Sequence, residues 1–194
     1  LYRDGPLMMG HRGSPRVAPE NTILSFQRAL DAGLGAVEVD VLCTKDGEVV
    51  CSHNHDLERE TDGSGYINES DFSELRGINA GIKFPNLGVT PIPTLAELIS
   101  ALPPNSIFNI EIKSIKLLDL HAVQKVVSLI RKHKLQGRVM ISSFNPLVIG
   151  RVKMIDHTIP NAHIWSDQNV TSFLTKPRFI NAVHPDILHP PAHL

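Results

Sequence analysis

Ala36-Val37-Glu38-Val39-Asp40-Val41 is the stretch that decides the fold. Valine and carboxylate alternate through it, and successive side chains of a strand point to opposite faces. If the valines pack against helices, Glu38 and Asp40 point together to the other side of the sheet. In a barrel that side is the interior. Ile107-Phe108-Asn109-Ile110-Glu111-Ile112-Lys113 repeats the pattern, with Asn109, Glu111 and Lys113 sharing one face. Two strands that bury apolar residues on one side and gather charge on the other point to a site built on the sheet itself.

Outward from these strands the chain alternates strand and helix. Leu7 to His11 reads as a first buried strand, and Pro19-Glu20-Asn21-Thr22 opens a helix whose apolar face is Ile23, Leu24, Phe26, Ala29 and Leu30. Gly33 and Gly35 end it. Lys45-Asp46-Gly47 signals a hairpin turn. With the turn centred between Asp46 and Gly47, the returning arm brings His53 to the level of Asp40. Residues 54–93 carry no long periodic segment beyond a short helix around Glu69 to Leu75, which suggests an inserted, lid-like segment. Thr94, with Glu97 three residues on, starts a capped helix. Helices are expected over Leu117 to Leu135, Pro146 to Ile155 and Val170 to Leu174. Further strands are expected over Arg138 to Ser143, Ala162 to Trp165 and Ala182 to Asp186.

Near-continuous apolar strands alternating with helices make a parallel sheet. No GxGxxG follows the first strand, which weighs against a dinucleotide fold. Charged residues at the ends of several strands fit a (β/α)8 TIM barrel with its site at the C-terminal mouth. The expected architecture is a single α/β domain over residues 1–194. It is a TIM barrel truncated after about six strands, since a full one takes about 250 residues, with the insertion after its second strand.

Bulk properties narrow the function. The chain has 194 residues, 42% hydrophobic and 20% charged, so it is globular. A net charge of -1 gives no electrostatic case for nucleic acid, and no apolar run approaches the roughly 20 residues of a membrane span. Cys43 and Cys51 without a CxxC read as free thiols. That favours the cytoplasm, with a periplasmic or secreted location open if a leader has been removed.

The chemistry collects at the strand ends. Glu38, Asp40 and Glu111 are three carboxylates on faces that otherwise bury. Ion pairing with Arg12 and Lys113 is one reading of them. A divalent cation is the favoured one, because three converging acids are costly to bury unpaired, and an all-oxygen set selects Mg2+ or Ca2+. His11 and His53 at the same mouth fit an acid and base pair. Arg12 and Lys113 suit a phosphate. His55 is the rival to His53, and His157, His163, His184, His189 and His193 have weaker claims. His184 is placed at the end of the sixth strand, and His189 and His193 in a solvated proline-rich tail. Ser143 is no nucleophile by motif. Trp165 fits a core or a substrate wall, and Glu20 and Asn21 brace the mouth.

At these residues the sequence resembles the glycerophosphodiester phosphodiesterase family. The matching pieces are His11-Arg12-Gly13, Pro19-Glu20-Asn21-Thr22, Glu38-Val39-Asp40-Val41, Thr44-Lys45-Asp46-Gly47, His53, Arg59 with Thr61, Gly63-Ser64-Gly65, Pro93-Thr94-Leu95, Ile110-Glu111-Ile112-Lys113 and Ser143-Phe144, in family order. The resemblance implies a (β/α)8 barrel that hydrolyses glycerophosphodiesters to glycerol 3-phosphate and an alcohol, as part of lipid metabolism. By resemblance Glu38, Asp40 and Glu111 are metal ligands, His11 and His53 the acid/base pair, and Arg12 and Lys113 phosphate binders. The glycerol hydroxyl beside the phosphate is implied as first nucleophile, through a cyclic phosphate. Asn54 departs from the family's usual His-Asp pair, and the family's seventh and eighth strands find no match. Two alternatives remain open: a phospholipase D-like enzyme acting on lysophospholipid or sphingolipid, and an inactive barrel used as a binding module.

Overall fold

The computed structural model describes residues 6–114, 117–165 and 180–190. Six parallel strands form one curled sheet: β1 (Met9–His11), β2 (Ala36–Cys43), β4 (Ile107–Ile112), β5 (Val139–Ser143), β6 (Asn161–Ile164) and β7 (Ile187–His189). They lie side by side in chain order, and β3 (Val49–Cys51) pairs antiparallel with β2 off that path. Helices α1 (Ile23–Asp31), α3 (Leu95–Ala101), α4 (His121–Lys132) and α5 (Pro146–Ile155) connect them. This is part of a TIM barrel, with the expected insertion after its second strand.

Alternation divides the two faces as the sequence requires. Val37, Val39 and Val41 of β2, Phe108, Ile110 and Ile112 of β4, and Val139 and Ile141 of β5 join one core with Phe26, Leu98, Val123, Val126 and Val148 of the helices. Fully burying each such aliphatic side chain contributes about 1.5–3 kcal/mol. The in-register partners on the opposite, inward face are polar: Glu38 beside Asn109, Asp40 beside Glu111, Glu111 beside Ser142.

Helix starts follow the capping residues. Thr22 accepts the Ser25 N–H at α1, and Thr94 and Glu97 form a full capping box at α3. Asn145 caps α5 by accepting the Leu147 N–H, with Pro146 at the first position. Helix α4 is shorter than the expected 117–135. The Leu117 carbonyl is taken by the Asn145 amide, which holds that segment at the mouth. At the other end Lys134 turns left-handed (φ 53°), so the helix stops before Leu135.

The insertion has a core of its own. Leu57, Ile67, Leu75 and Ile92 pack with Leu42 and Val50 of the hairpin, and α2 (Phe72–Leu75) is its only α-helix among the described residues. The Asn79 side chain accepts the N–H groups of Gly81 and Thr90, closing its loop.

Two placements differ from the sequence reading. The hairpin pairs Val41 with Cys51, and Ser52 donates its N–H to the Asp40 carbonyl, so His53 lies one residue beyond Asp40. The cause is a three-residue turn, closed by Thr44 and Glu48 with Gly47 left-handed at φ 86°, whose centre falls on Asp46. The sixth parallel strand is not Ala182 to Asp186. Ile180–Val183 form a short helix, α6, His184 turns at φ 44°, and Asp186 accepts the backbone and amide N–H groups of Asn161 before β7 begins. The expected helix over 170–174 and His193 lie outside the described residues.

Candidate active site

Register brings the site residues together. In the parallel pairing His11 sits opposite Glu38, and Asp40 opposite Glu111. One oxygen from each of Glu38, Asp40 and Glu111 lies within 4.8 Å of the others, and all three residues are buried. Lys113, two residues past Glu111 on the same face, places its Nζ 3.0 Å from Asp40 Oδ1 and 2.5 Å from Glu111 Oε1. The Phe144 ring centroid lies 5.9 Å from that ammonium.

The loop after β1 supplies the other cation. Gly13 bends sharply at φ 86° and packs so tightly on Ser25 that a Cβ there would sit 2.5 Å from its Oγ. Arg12 turns back over the sheet. Its N–H donates to Glu38 Oε2 at 2.9 Å, its Nη1 to Glu20 Oε1 at 2.9 Å, and its Nε lies 3.3 Å from Asp40 Oδ2. Asn21 and Glu20 thus brace the mouth, since Asn21 also bonds Asp40.

Three carboxylates face two fixed cations, and the imbalance falls on Glu38. Burial, then the charge of Asp40, pushes its pKa up to about 8, and its Oε1 has no hydrogen-bond partner. Burial also raises the Glu111 carboxyl, against the pull of Lys113. Burial opposes the Lys113 charge, but Glu111 and Asp40 outweigh it and hold the ammonium above its ordinary value. Both readings of the acids are therefore present in part: they are ion-paired, and they still leave an unpartnered inward oxygen. Three oxygen donors without sulfur or imbedded imidazole suit a hard divalent cation.

His11 stands at the rim with Nε2 3.8 Å from Glu38 Oε2. Partial burial and the Arg12 guanidinium hold its pKa below the ordinary histidine value. Burial and Lys113 do the same for His53, which also feels Asp40 and Arg12. His53 Nδ1 lies 3.2 Å from Asn54 Oδ1. That contact gives the departure at Asn54 a physical sense, because an amide oxygen orients the ring without adding charge. Burial and Lys113 lower the pKa of His55 as well, with Asp119 the next charge it feels, and its carbonyl accepts the Ile67 N–H of the insertion.

The other histidines fall elsewhere. His184 precedes β7, at the opposite end of the sheet from the mouth, because the strand starts later than expected. His189 is not in a solvated tail. It ends β7 in register with Ile164, half-buried on the inward face, and only the apolar Ile187-Leu188 before it signalled a strand. His163 is buried on the helix-facing side, in register with Ser143. Ser143 itself donates to the Ile112 carbonyl, a structural role. Cys43 and Cys51 are free thiols. No helix among the described residues is long and apolar enough to cross a membrane.

Comparison with known proteins bears on the family and the fold. The model of the glycerophosphoryl diester phosphodiesterase family matches residues 11–190. A glycerophosphodiester phosphodiesterase from Caldanaerobacter subterraneus subsp. tengcongensis is 37% identical over 149 residues, covering 76% of this chain and 61% of its own length. One from Bacillus subtilis is 27% identical over 187 residues, covering 89% of this chain and 64% of its own. The chain thus spans about three fifths of the length of these relatives. An Oleispira antarctica phosphodiesterase, solved in complex with the product sn-glycerol-3-phosphate, superposes with a TM-score of 0.85 at 29% identity, over 95% of this chain and 74% of that one.

Proposed function

The chain belongs to the glycerophosphoryl diester phosphodiesterase family, and from that premise we propose that it hydrolyses glycerophosphodiesters to glycerol 3-phosphate and an alcohol. The observation that carries the reading is the inward face of β2 and β4. Glu38, Asp40 and Glu111 converge there within 4.8 Å, with Arg12 and Lys113 among them and His11 at the rim. The product bound by the Oleispira antarctica relative supports the choice of glycerol 3-phosphate.

In this mechanism Glu38, Asp40 and Glu111 hold a divalent cation, Mg2+ or Ca2+. When bound, the ion supplies electrophilic stabilisation of charge on the phosphoryl oxygens. Arg12 and Lys113 bind the non-bridging oxygens, Arg12 through its planar fork. His53, neutral and oriented by Asn54, is the general base that takes the proton of the attacking hydroxyl. His11, beside Glu38, gives a proton to the leaving alkoxide oxygen. If the glycerol 2-hydroxyl attacks first, the two histidines exchange roles to bring water onto the cyclic phosphate.

The test is glycerol 3-phosphate release from glycerophosphocholine, with and without EDTA. His11→Ala and His53→Ala should each lose about 10²–10⁴-fold in rate, and EDTA should abolish turnover. An unaffected His53→Ala beside a dead His55→Ala would overturn the assignment, as would cation-independent activity. A second reading, phospholipase D-like action on lysophospholipid, draws on Tyr66, Ile82 and Val89, apolar side chains that the insertion exposes. It requires turnover of lysophosphatidylcholine that rises once the lipid forms micelles.

A further inference from the structure

Asn21 adopts a left-handed backbone, φ 56°, although its side chain is 2% exposed. Such a conformation costs any residue but glycine energy, asparagine less than most. What holds it there is a three-point grip. Its N–H donates to the Arg12 carbonyl at 3.1 Å. Its Nδ2 donates to Asp40 Oδ2 at 2.9 Å, and its Oδ1 accepts the Asp40 N–H at 3.0 Å. One amide therefore clasps both the side chain and the backbone of the same aspartate. Asp40 Oδ2 is occupied by Asn21 and by Arg12 Nε, while Oδ1 is left turned toward Lys113 on the side of Glu111. A carboxylate on a bare strand could rotate about its Cα–Cβ bond, whereas this one has a single orientation imposed from the neighbouring loop.

We infer that Asn21 is the positioning residue of the cation site, holding Asp40 so that Oδ1 is presented with Glu38 and Glu111. The inference rests on the carboxylate set being a cation site. Groups that orient ligands from behind typically set about 10–100-fold in metal affinity. The alternative is that Asn21 only starts α1, in which case its loss costs stability and nothing more.

Asn21→Gly separates the two, because glycine adopts φ 56° without strain and removes only the clasp. The experiment titrates Mg2+ alone, and separately Ca2+ alone, into the full chain by calorimetry, and melts each protein in cation-free buffer. Asn21→Gly should melt lower, because it also leaves the buried Asp40 N–H without its acceptor, and at a temperature where both proteins are folded it should bind the cation tenfold or more weakly. Its turnover of glycerophosphocholine should recover as the cation is raised to saturation. Should glycine at this site not fold, Asn21→Ser, which reaches Asp40 with one hydrogen bond at most, reports the same shift. Unchanged cation affinity with a lowered melting point would overturn the positioning role. Absence of cation binding by the unsubstituted chain would instead sink the cation site itself, and the inference with it.

Discussion

Glu38→Gln should make the cation-free protein more stable while removing one carboxylate of the proposed cation site. Glu38 is 5% exposed, its Oε1 has no partner, and Asp40 and Glu111 both face it. Burial and then the Asp40 charge raise its pKa from 4.5 to about 8. In the unfolded chain the group ionises near its ordinary value, so between pH 4.5 and 8 folding must take up a proton. A carboxyl whose folded pKa is raised therefore loses stability as pH climbs through that window, and loses no more beyond it. At about 1.36 kcal/mol per unit, the penalty is of order 3 kcal/mol at pH 7 and of order 5 kcal/mol above pH 8. Glutamine keeps an oxygen that can accept the Arg12 N–H, now 2.9 Å from Glu38 Oε2, and carries no charge. Urea unfolding in EDTA at pH 5, 7 and 8.5 reads the difference directly. The gap between Glu38→Gln and the unsubstituted chain should be small at pH 5 and should widen to several kcal/mol at pH 8.5. Millimolar Mg2+ or Ca2+ should close it by stabilising only the glutamate form. A gap independent of pH, or a glutamine form less stable at pH 8.5, would refute the reasoning.

Two further outcomes follow from the same packing. Lys113→Met leaves three buried acids facing Arg12 alone, and stripping one partner from a buried ion pair costs about 3–5 kcal/mol. Urea unfolding should show that loss in EDTA and partial recovery with a divalent cation. Cys51 is buried and its thiol is pushed well above the ordinary value by that burial, while Cys43 is half-buried with a smaller upward push of the same origin. An aromatic disulfide reagent at pH 8 should label Cys43 slowly and Cys51 only after denaturant is added, as mass spectrometry would show.

The site was legible in the sequence wherever one short-range rule sufficed. The alternation in Val37 to Val41 and in Phe108 to Lys113 puts the acids on one face with no tertiary information, and the structure places them there. The same rule places Lys113. The hairpin was harder, because a two-residue and a three-residue turn differ only in where Gly47 falls, and one residue of slip moves His53 past Asp40. The end of the chain was misread for a different reason. Ala182-Val183 looks like strand by composition, but Asp186 is drawn to the amide and N–H of Asn161, twenty-five residues earlier, and the strand starts after it. Asn21 could be named as a brace but not as a clasp, because nothing local shows that its amide meets Asp40.

The loop from Arg12 to Asn21 shows where the cost of such a face is carried. Among the described residues four non-glycines have positive φ, and two of them are Arg12 and Asn21. They are bonded to each other, carbonyl to N–H, and both reach the β2 carboxylates. Backbone strain persists only when surrounding contacts over-determine it, and here those contacts are the acids themselves. Glu38 needs the Arg12 N–H, and Asp40 needs the Asn21 amide and the Arg12 guanidinium. The loop in turn keeps its left-handed residues because those acceptors are buried and fixed by the strand. On the far side of β2, Val37, Val39 and Val41 fix that strand by helix packing that owes nothing to the site. Helix packing and the candidate site thus sit on alternate residues of one strand. The strained loop is the part that lets the charged residues stay where the valines put them.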